Sequence, residues 1–269
     1  MKVRYIEEMI QYNQRIGCRI VEQGLLEGDV AWRYYGVSSP FHRLYQVTKG
    51  KAYIRYEGVE HVLSEGHVYL IRRNTTMDYY TKKPFEKNYL HLNYPIIGGA
   101  DLLEHCAPII DLPLSVKQYK QLDRLFVKPC LEAYSEGMSI LYEVMQMVLV
   151  GMSKDQLPNI LNDRTYHPLV AEMMQRLDAN FSVEEMADFC QQSSSDFSRK
   201  FKEALGLSPK AYLHKQLVEE GKLRLLSTQH SVKTIASDLG YEDSLYFSRF
   251  FKKRTGMSPT KYRASQMQL

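Results

Sequence analysis

The C-terminal part of this 269-residue chain repeats itself, and the repeat restricts the possible folds more than any other feature. Ser182-Val183 and Ala187 return as Ser231-Val232 and Ala236, 49 positions later. Phe197-Ser198-Arg199-x-Phe201-Lys202 returns as Phe247-Ser248-Arg249-x-Phe251-Lys252, and Gly206-x-Ser208-Pro209-x-x-Tyr212 as Gly256-x-Ser258-Pro259-x-x-Tyr262, both at a distance of 50. The one-residue slip falls between Ala236 and Phe247, where a turn belongs. A stacked helical scaffold is the alternative, but solenoids need about three or more repeats to bury a continuous core, and only two copies are present.

Each copy has the grammar of a helix-turn-helix. In the second, Val232 to Leu239 reads as a short helix with Ile235, small Ala236 and Leu239 turned inward. Gly240 stands where the turn needs a positive φ, which glycine adopts at little cost. Asp243 is placed to cap a helix from Ser244 to Thr255. Phe247 and Phe251, four apart, share its buried face. Arg249, Lys252 and Lys253 fall off that face, and the helix carries no acid. An apolar back and a basic front suit the major groove of DNA, about 12 Å wide. The first copy is looser. Gln191 replaces the turn glycine and Gln192 takes the place of an apolar residue. Ser193 is the expected N-cap, with Asp196 three residues on as an imperfect capping box. The second helix of this copy runs from Ser194 to Ala204, with Phe197 and Phe201 inward and Ser195, Ser198, Arg199 and Lys202 as outward candidates. Ser208-Pro209 and Ser258-Pro259 look like helix starts, and a helix from Pro209 to about Leu226 would join the two units rigidly.

Charge alone does not demand a nucleic acid. The segment from His167 to the end has 15 Lys and Arg against 12 Asp and Glu, within a total formal charge of +4. With 44% apolar and 25% charged residues the chain is of ordinary globular composition. Cys18, Cys106, Cys130 and Cys190 are scattered, so neither a zinc site nor a disulfide framework is indicated, and reduced thiols in a cytosol are expected. Met1-Lys2-Val3-Arg4-Tyr5-Ile6-Glu7-Glu8 carries charges where a signal peptide needs an apolar core, and no apolar run reaches the ~18 residues of a membrane span. A soluble, cytoplasmic protein is expected.

With these residues in place, the region from about His167 to Arg263 resembles the DNA-binding domain of AraC-type (AraC/XylS) transcription regulators. The signature is Ala236-x-x-Leu239-Gly240-Tyr241, Tyr246-Phe247-Ser248-Arg249-x-Phe251-Lys252-Lys253 and Gly256-Met257-Ser258-Pro259-x-x-Tyr262-Arg263. The resemblance implies two recognition helices in successive major grooves on one face of double-stranded DNA. It assigns base or phosphate contact to Ser195, Ser198 and Arg199, and to Ser244, Leu245, Ser248 and Arg249. Gly221 departs from the alanine usual in the connecting helix, at a cost of about 1 kcal/mol in a helix interior. Gln191 and Gln192 depart in the first turn.

From about Val30 to Asn93 the chain reads as short strands cut by Gly50-Lys51, Glu57-Gly58, Glu65-Gly66 and Lys83-Pro84, the texture of an antiparallel sandwich or barrel. This part resembles the cupin-like barrel that such regulators place before the DNA-binding half, on the Leu44-Tyr45-Gln46-Val47-Thr48-Lys49-Gly50 and Gly66-His67-Val68-Tyr69-Leu70-Ile71 runs. The metal set of cupin enzymes is missing. There is no His-x-His, His42 is followed two positions on by Leu44, and the Pro-x-Gly-x-x-His motif reads Ser64-Glu65-Gly66-His67-Val68-Tyr69. His61, His67 and His91 then read as ordinary surface or hydrogen-bonded histidines. A small barrel can instead hold an organic ligand. Trp32, Tyr34, Arg43, Tyr45 and His91 are the candidate lining residues, and each also reads as a plain core or surface residue. Tyr89, His91 and Asn93 alternate with Leu90 and Leu92, and a period of two does not say which set faces inward. From Ser115 to Lys154 the period becomes helical, with Pro129 placed to kink the helix or to separate two helices. They suit a dimerising segment or a solvated cap.

The expected fold class is α+β in two domains: a cupin-like antiparallel β-barrel with a helical segment, then an all-α domain with two helix-turn-helix units. The expected boundaries are 1–112 for the barrel, 113–155 for the helical segment, 156–166 for a linker and 167–269 for the DNA-binding domain. The expected function is a DNA-binding transcription regulator, by analogy an activator, answering to a small-molecule effector and working as a homodimer. RNA polymerase is a further partner that the resemblance implies; a membrane is not. No catalytic residue, metal or cofactor is indicated. Two alternatives stand: a metal cupin enzyme fused to a DNA-targeting module, and an interaction protein whose repeat binds another protein.

Overall fold

Turn chemistry sets the strands of the N-terminal half. In the computed structural model, which describes residues 17–95, 101–127, 130–153 and 165–266, β1 (Arg19–Gly28) and β2 (Arg33–Val37) precede β3 (His42–Lys49). Gly50, at φ 73°, turns the chain into β4 (Lys51–Tyr56). Glu57 (φ 49°) and Gly58 (φ 81°) are both left-handed, the two-residue hairpin turn that matches strand twist, and β5 (Val59–Ser64) follows. After Glu65-Gly66 come β6 (Val68–Ile71), β7 (Met77–Tyr80), then Lys83-Pro84, β8 (Phe85–Asn93) and β9 (Ile109–Leu112). All four expected turns therefore separate strands. The strand-rich region is wider than expected, because β1 lies before Val30 and β9 after Asn93.

The strands form two antiparallel sheets, one of five in the order β1-β8-β3-β6-β9 and one of four in the order β2-β7-β4-β5. The sheets face each other: the Trp32 ring lies 4.8 Å from Phe85 and the Tyr45 ring 6.4 Å from Tyr79. No strand pairing joins one sheet to the other among the described residues, so the barrel is open.

The opposite face of the larger sheet is covered by α1 (Val116–Val127) and α2 (Leu131–Val150). Gln46 Nε2 donates to the Tyr119 carbonyl at 3.0 Å, Asn88 Nδ2 to Asp123 at 2.8 Å, and the Tyr94 hydroxyl to the Leu141 carbonyl at 2.7 Å. A Cβ on Gly137 would fall 2.3 Å from Leu125, so this glycine lets α1 and α2 touch. Layered on both sides, β3 is buried without a break from His42 to Val47, which removes the alternation of a one-sided strand. The kink or break expected at Pro129 falls on undescribed residues, and the helices on either side are separate elements. The proposed 156–166 linker also lies almost wholly outside the described residues.

The C-terminal unit is helical: α3 (His167–Arg176), α4 (Val183–Phe189), α5 (Ser194–Leu205), α6 (Pro209–Ser227), α7 (Val232–Asp238), α8 (Ser244–Thr255) and α9 (Pro259–Gln266). Ser193, Ser208 and Asp243 cap helix starts as the sequence suggests, and Ser182 and Ser231 cap two more: each serine accepts from the backbone N–H three residues on, and Asp243 accepts from Leu245 N–H at 2.7 Å. The full capping box forms at Ser182 with Glu185; at Ser193 only the serine half forms. One core joins both repeats, with Phe197, Phe201, Ile235, Phe247 and Phe251 packed around Leu213 and Leu217 of α6. At 19 residues, α6 spans about 28 Å. No helix among the described residues is long and apolar enough to cross a membrane.

Candidate nucleic-acid interface and effector site

Helix α8 is held from behind. Phe247 and Phe251 are fully buried, while Arg249, Lys252 and Lys253 are exposed and Leu245 is 68% exposed. Ser244 and Ser248 are half-buried, and the Ser248 hydroxyl donates to the Ser244 carbonyl at 2.8 Å. That bond leaves the serine oxygen as an acceptor. Arg249 approaches only its own cap, Asp243, at 3.7 Å, and both side chains are more than half exposed. The turn before the helix is tightly built. Gly240 has φ 79°, a Cβ there would fall 2.0 Å from Asp178, and Asn180 Nδ2 donates to the Gly240 carbonyl at 2.8 Å.

Helix α5 repeats the arrangement with different electrostatics. Phe197 and Phe201 are fully buried, Ser195, Arg199 and Lys202 are exposed, and Ser198 is half-buried. Gln191 takes φ 54°, the same left-handed turn that Gly240 makes. Gln192 is half-buried and accepts from the Tyr166 hydroxyl at 3.3 Å, a polar substitute for the buried Tyr241 of the second copy. Arg199 is occupied: its guanidinium donates to Glu203 at 3.0 Å and to Asp196 at 3.1 Å. Against the acid-free α8, the basic front of α5 is largely offset by its own carboxylates.

The five barrel candidates largely come together. On β3 and β8, Arg43 pairs with His91, Tyr45 with Tyr89 and Val47 with Lys87, so all six share the face turned toward the smaller sheet. Leu90 and Leu92 face the other way. Trp32, Arg43, Tyr45 and His91 are buried; Tyr34 is half-buried, meets Trp32 edge-on with ring centres 6.0 Å apart, and is the cross-strand partner of Tyr79. Arg43 donates to the Tyr79 hydroxyl at 3.3 Å and to Ser39. His91 Nδ1 meets Glu22 at 3.0 Å, which makes Nδ1 the protonated nitrogen of the neutral ring. Burial outweighs Glu22 and pushes His91 down to about 4. Sequence reasoning overlooked Lys87, Tyr79 and Glu22. The signal for Lys87 lay in the alternation that groups Tyr89, His91 and Asn93, since Lys87 is two residues before Tyr89.

The remaining histidines are dispersed. His42 lies on the helix-facing side, 2.7 Å from buried Asp101, and His67 pairs with Asp111 at the surface. Among the described residues no three His, Cys, Asp or Glu side chains converge as a metal site would require. The four cysteines are free.

Comparison with known proteins fits these two halves. Residues 28–136 match the model of the AraC-like ligand binding domain, and residues 186–265 a helix-turn-helix domain model. An uncharacterized HTH-type transcriptional regulator of Haemophilus influenzae is 25% identical over 177 residues, 66% of this chain and 56% of that protein. The arabinose operon regulatory protein of Escherichia coli is 38% identical over 69 residues, 26% of this chain and 24% of its own length. The chain thus spans little more than half of one curated relative and a quarter of the other. Among solved structures, ToxT from Vibrio cholerae aligns with a TM-score of 0.51 at 9% identity, covering 91% of this chain and 98% of that one, a likeness of fold. With both halves matched in order, the chain belongs to the AraC-type (AraC/XylS) family of transcription regulators.

Proposed function

We propose that the chain binds double-stranded DNA sequence-specifically through α5 and α8, pairs with a second copy through its helical segment, and answers to a small molecule held between its two sheets. The observation that carries the DNA reading is α8. It is an acid-free helix with exposed Arg249, Lys252 and Lys253, fixed from behind by Phe247 and Phe251. Arg249 is the base reader, and Lys252 and Lys253 are phosphate contacts. Ser244, Leu245 and Ser248 supply short contacts beside them. In the first unit Ser195, Ser198, Arg199 and Lys202 do the same, with Arg199 first giving up Asp196 or Glu203. Competition binding on a selected duplex and on random duplex tests the assignment. Arg249→Ala is expected to weaken the selected duplex by about 1–3 kcal/mol and the random one far less. Equal affinity of variant and parent for the selected duplex removes Arg249 from the site.

The pairing surface is a seam on α2. Leu131, Met138 and Met145 follow one another at seven-residue intervals, as do Ser135, Tyr142 and Leu149, and none of the six is buried. Such spacing lines one stripe of a helix that meets a partner helix. A regulator of this design works by shifting the placement of its DNA-binding halves, and an effector shifts that equilibrium only by its differential affinity for the two states. Activation through RNA polymerase and a cytoplasmic location belong to the same reading. The enzyme alternative is tested by metal analysis of the purified protein, with a stoichiometric transition metal in its favour.

A further inference from the structure

Two cations sit deep between the sheets without a carboxylate bonded to either. Lys87 and Arg43 are each 2% exposed. A buried ammonium or guanidinium ordinarily meets a carboxylate, because loss of hydration is otherwise uncompensated. Lys87 Nζ makes no hydrogen bond. It lies 3.2 Å from the centre of the Tyr45 ring and 4.7 Å from that of Trp32. Arg43 uses its two terminal nitrogens on Tyr79 and Ser39, and its Nε has no partner. The Tyr45 hydroxyl and Trp32 Nε1, both buried, are unpartnered as well. The neighbouring carboxylate, Glu22, is half-exposed and accepts from His91 at 3.0 Å and from the Tyr89 hydroxyl at 3.3 Å. The group is therefore rich in donors and walled by aromatic rings, and with Lys87 protonated it sets two positive charges against one.

We infer that the space between the sheets binds a small organic acid, its carboxylate taken by Lys87 and Arg43 and its apolar body laid against Trp32, Tyr45 and Tyr89. The inference rests on the effector reading above and names the chemical class of that effector. The charge balance favours a monoanion: with Glu22 set against one cation, a single negative charge completes the site, whereas a phosphate dianion would overshoot it. Burial, with Arg43 nearby, already pushes the Lys87 ammonium well below lysine's ordinary range. The unliganded site is thus destabilised in a way that an arriving carboxylate relieves.

Thermal melting of the full chain with matched acid and amide pairs tests this: benzoate with benzamide, 4-phenylbutyrate with its amide, octanoate with octanamide. At least one acid is expected to raise the melting temperature by a few degrees at saturation, and its amide to leave it unchanged. Lys87→Met keeps the stem and removes the charge. It is expected to raise the melting temperature of the unliganded protein and to abolish the acid response; Lys87→Gln is expected to abolish the response equally. The inference is overturned if acid and amide shift the protein alike, if no acid shifts it, or if both lysine variants respond like the parent. Melting does not involve DNA, so the outcomes separate. A chain that binds acid but no DNA overturns the regulatory reading alone, and a chain that binds DNA but is indifferent to every acid overturns the acid site alone.

Discussion

Gln191 occupies, at φ 54°, the left-handed position that glycine fills in the second copy at φ 79°. A residue with a Cβ is strained there by about 1 kcal/mol, so Gln191→Gly is expected to raise stability by about that amount, read as a higher urea midpoint at unchanged slope. A lower midpoint would mean that Gln191 makes contacts worth more than its strain. Gly221 points the opposite way. A Cβ there would meet the Phe247 and Phe251 rings at 3.4–3.6 Å, ordinary contact or close to it. Gly221→Ala is therefore expected to stabilise by about 0.5–1 kcal/mol through the unfolded chain; destabilisation would show that α6 and α8 tolerate nothing larger than hydrogen between them. His91 makes stability depend on pH. Its folded pKa lies near 4, below the 6.5 of an exposed histidine. Between these values the unfolded chain binds the extra proton, so stability falls as the solution is acidified from 6.5 toward 4. The Glu22 carboxyl, held low chiefly by its hydrogen bond to His91, acts in the same direction at the lower end. Urea midpoints of parent and His91→Gln across that window check this: the variant is expected to show the shallower slope, and parallel curves would remove His91 as the cause.

At the scale of elements, the helices were far more legible than the sheets. Predicted and observed bounds agree for α8, and α5 and α6 each run one residue past their expected ends; serine or aspartate caps mark all three starts, and Gly206 and Gly256 stop α5 and α8. Strand β1 escaped because Arg19–Gly28 is an outer strand with two glycines and three acidic or amide residues among ten, half-open to solvent, so it lacks both the alternation and the β-branched run of an inner strand. The inward face could not be chosen from a period of two; ring contacts such as Tyr45 to Tyr79, and the hydrogen bonds of Gln46 and Asn88 to α1 on the other side, decide it. Lys87 was passed over for a related reason, since a lysine in a strand ordinarily marks the wet face. The unequal charge of α5 and α8, by contrast, was already in the sequence. Asp196 and Glu203 stand three and four residues from Arg199, at the spacing where helical side chains meet, and no acid stands in α8. Salt dependence follows from that inequality. Lys252→Ala or Lys253→Ala is expected to lower the slope of log affinity against log salt by roughly one, while Lys202→Ala in the self-compensated helix changes it less. Equal slopes for parent and both α8 variants would exclude phosphate contact there.

At the scale of the molecule, two compact units carry different proposed tasks. In the proposed reading the region between the sheets of one holds the effector, and the repeated helix-turn-helix of the other meets the DNA. The helical unit has one shared core and a single joining helix of 19 residues, α6, so α5 and α8 are held at a fixed spacing. Hydroxyl-radical footprinting of the full chain on a duplex selected from genomic fragments tests this most directly. Each protomer is expected to protect two groove segments on one face of the DNA, about 10 base pairs or roughly 34 Å apart. Protection of a single segment per protomer would contradict the two-unit reading and leave α5 as a support for α8, and no protection above that on random duplex would contradict sequence-specific binding altogether.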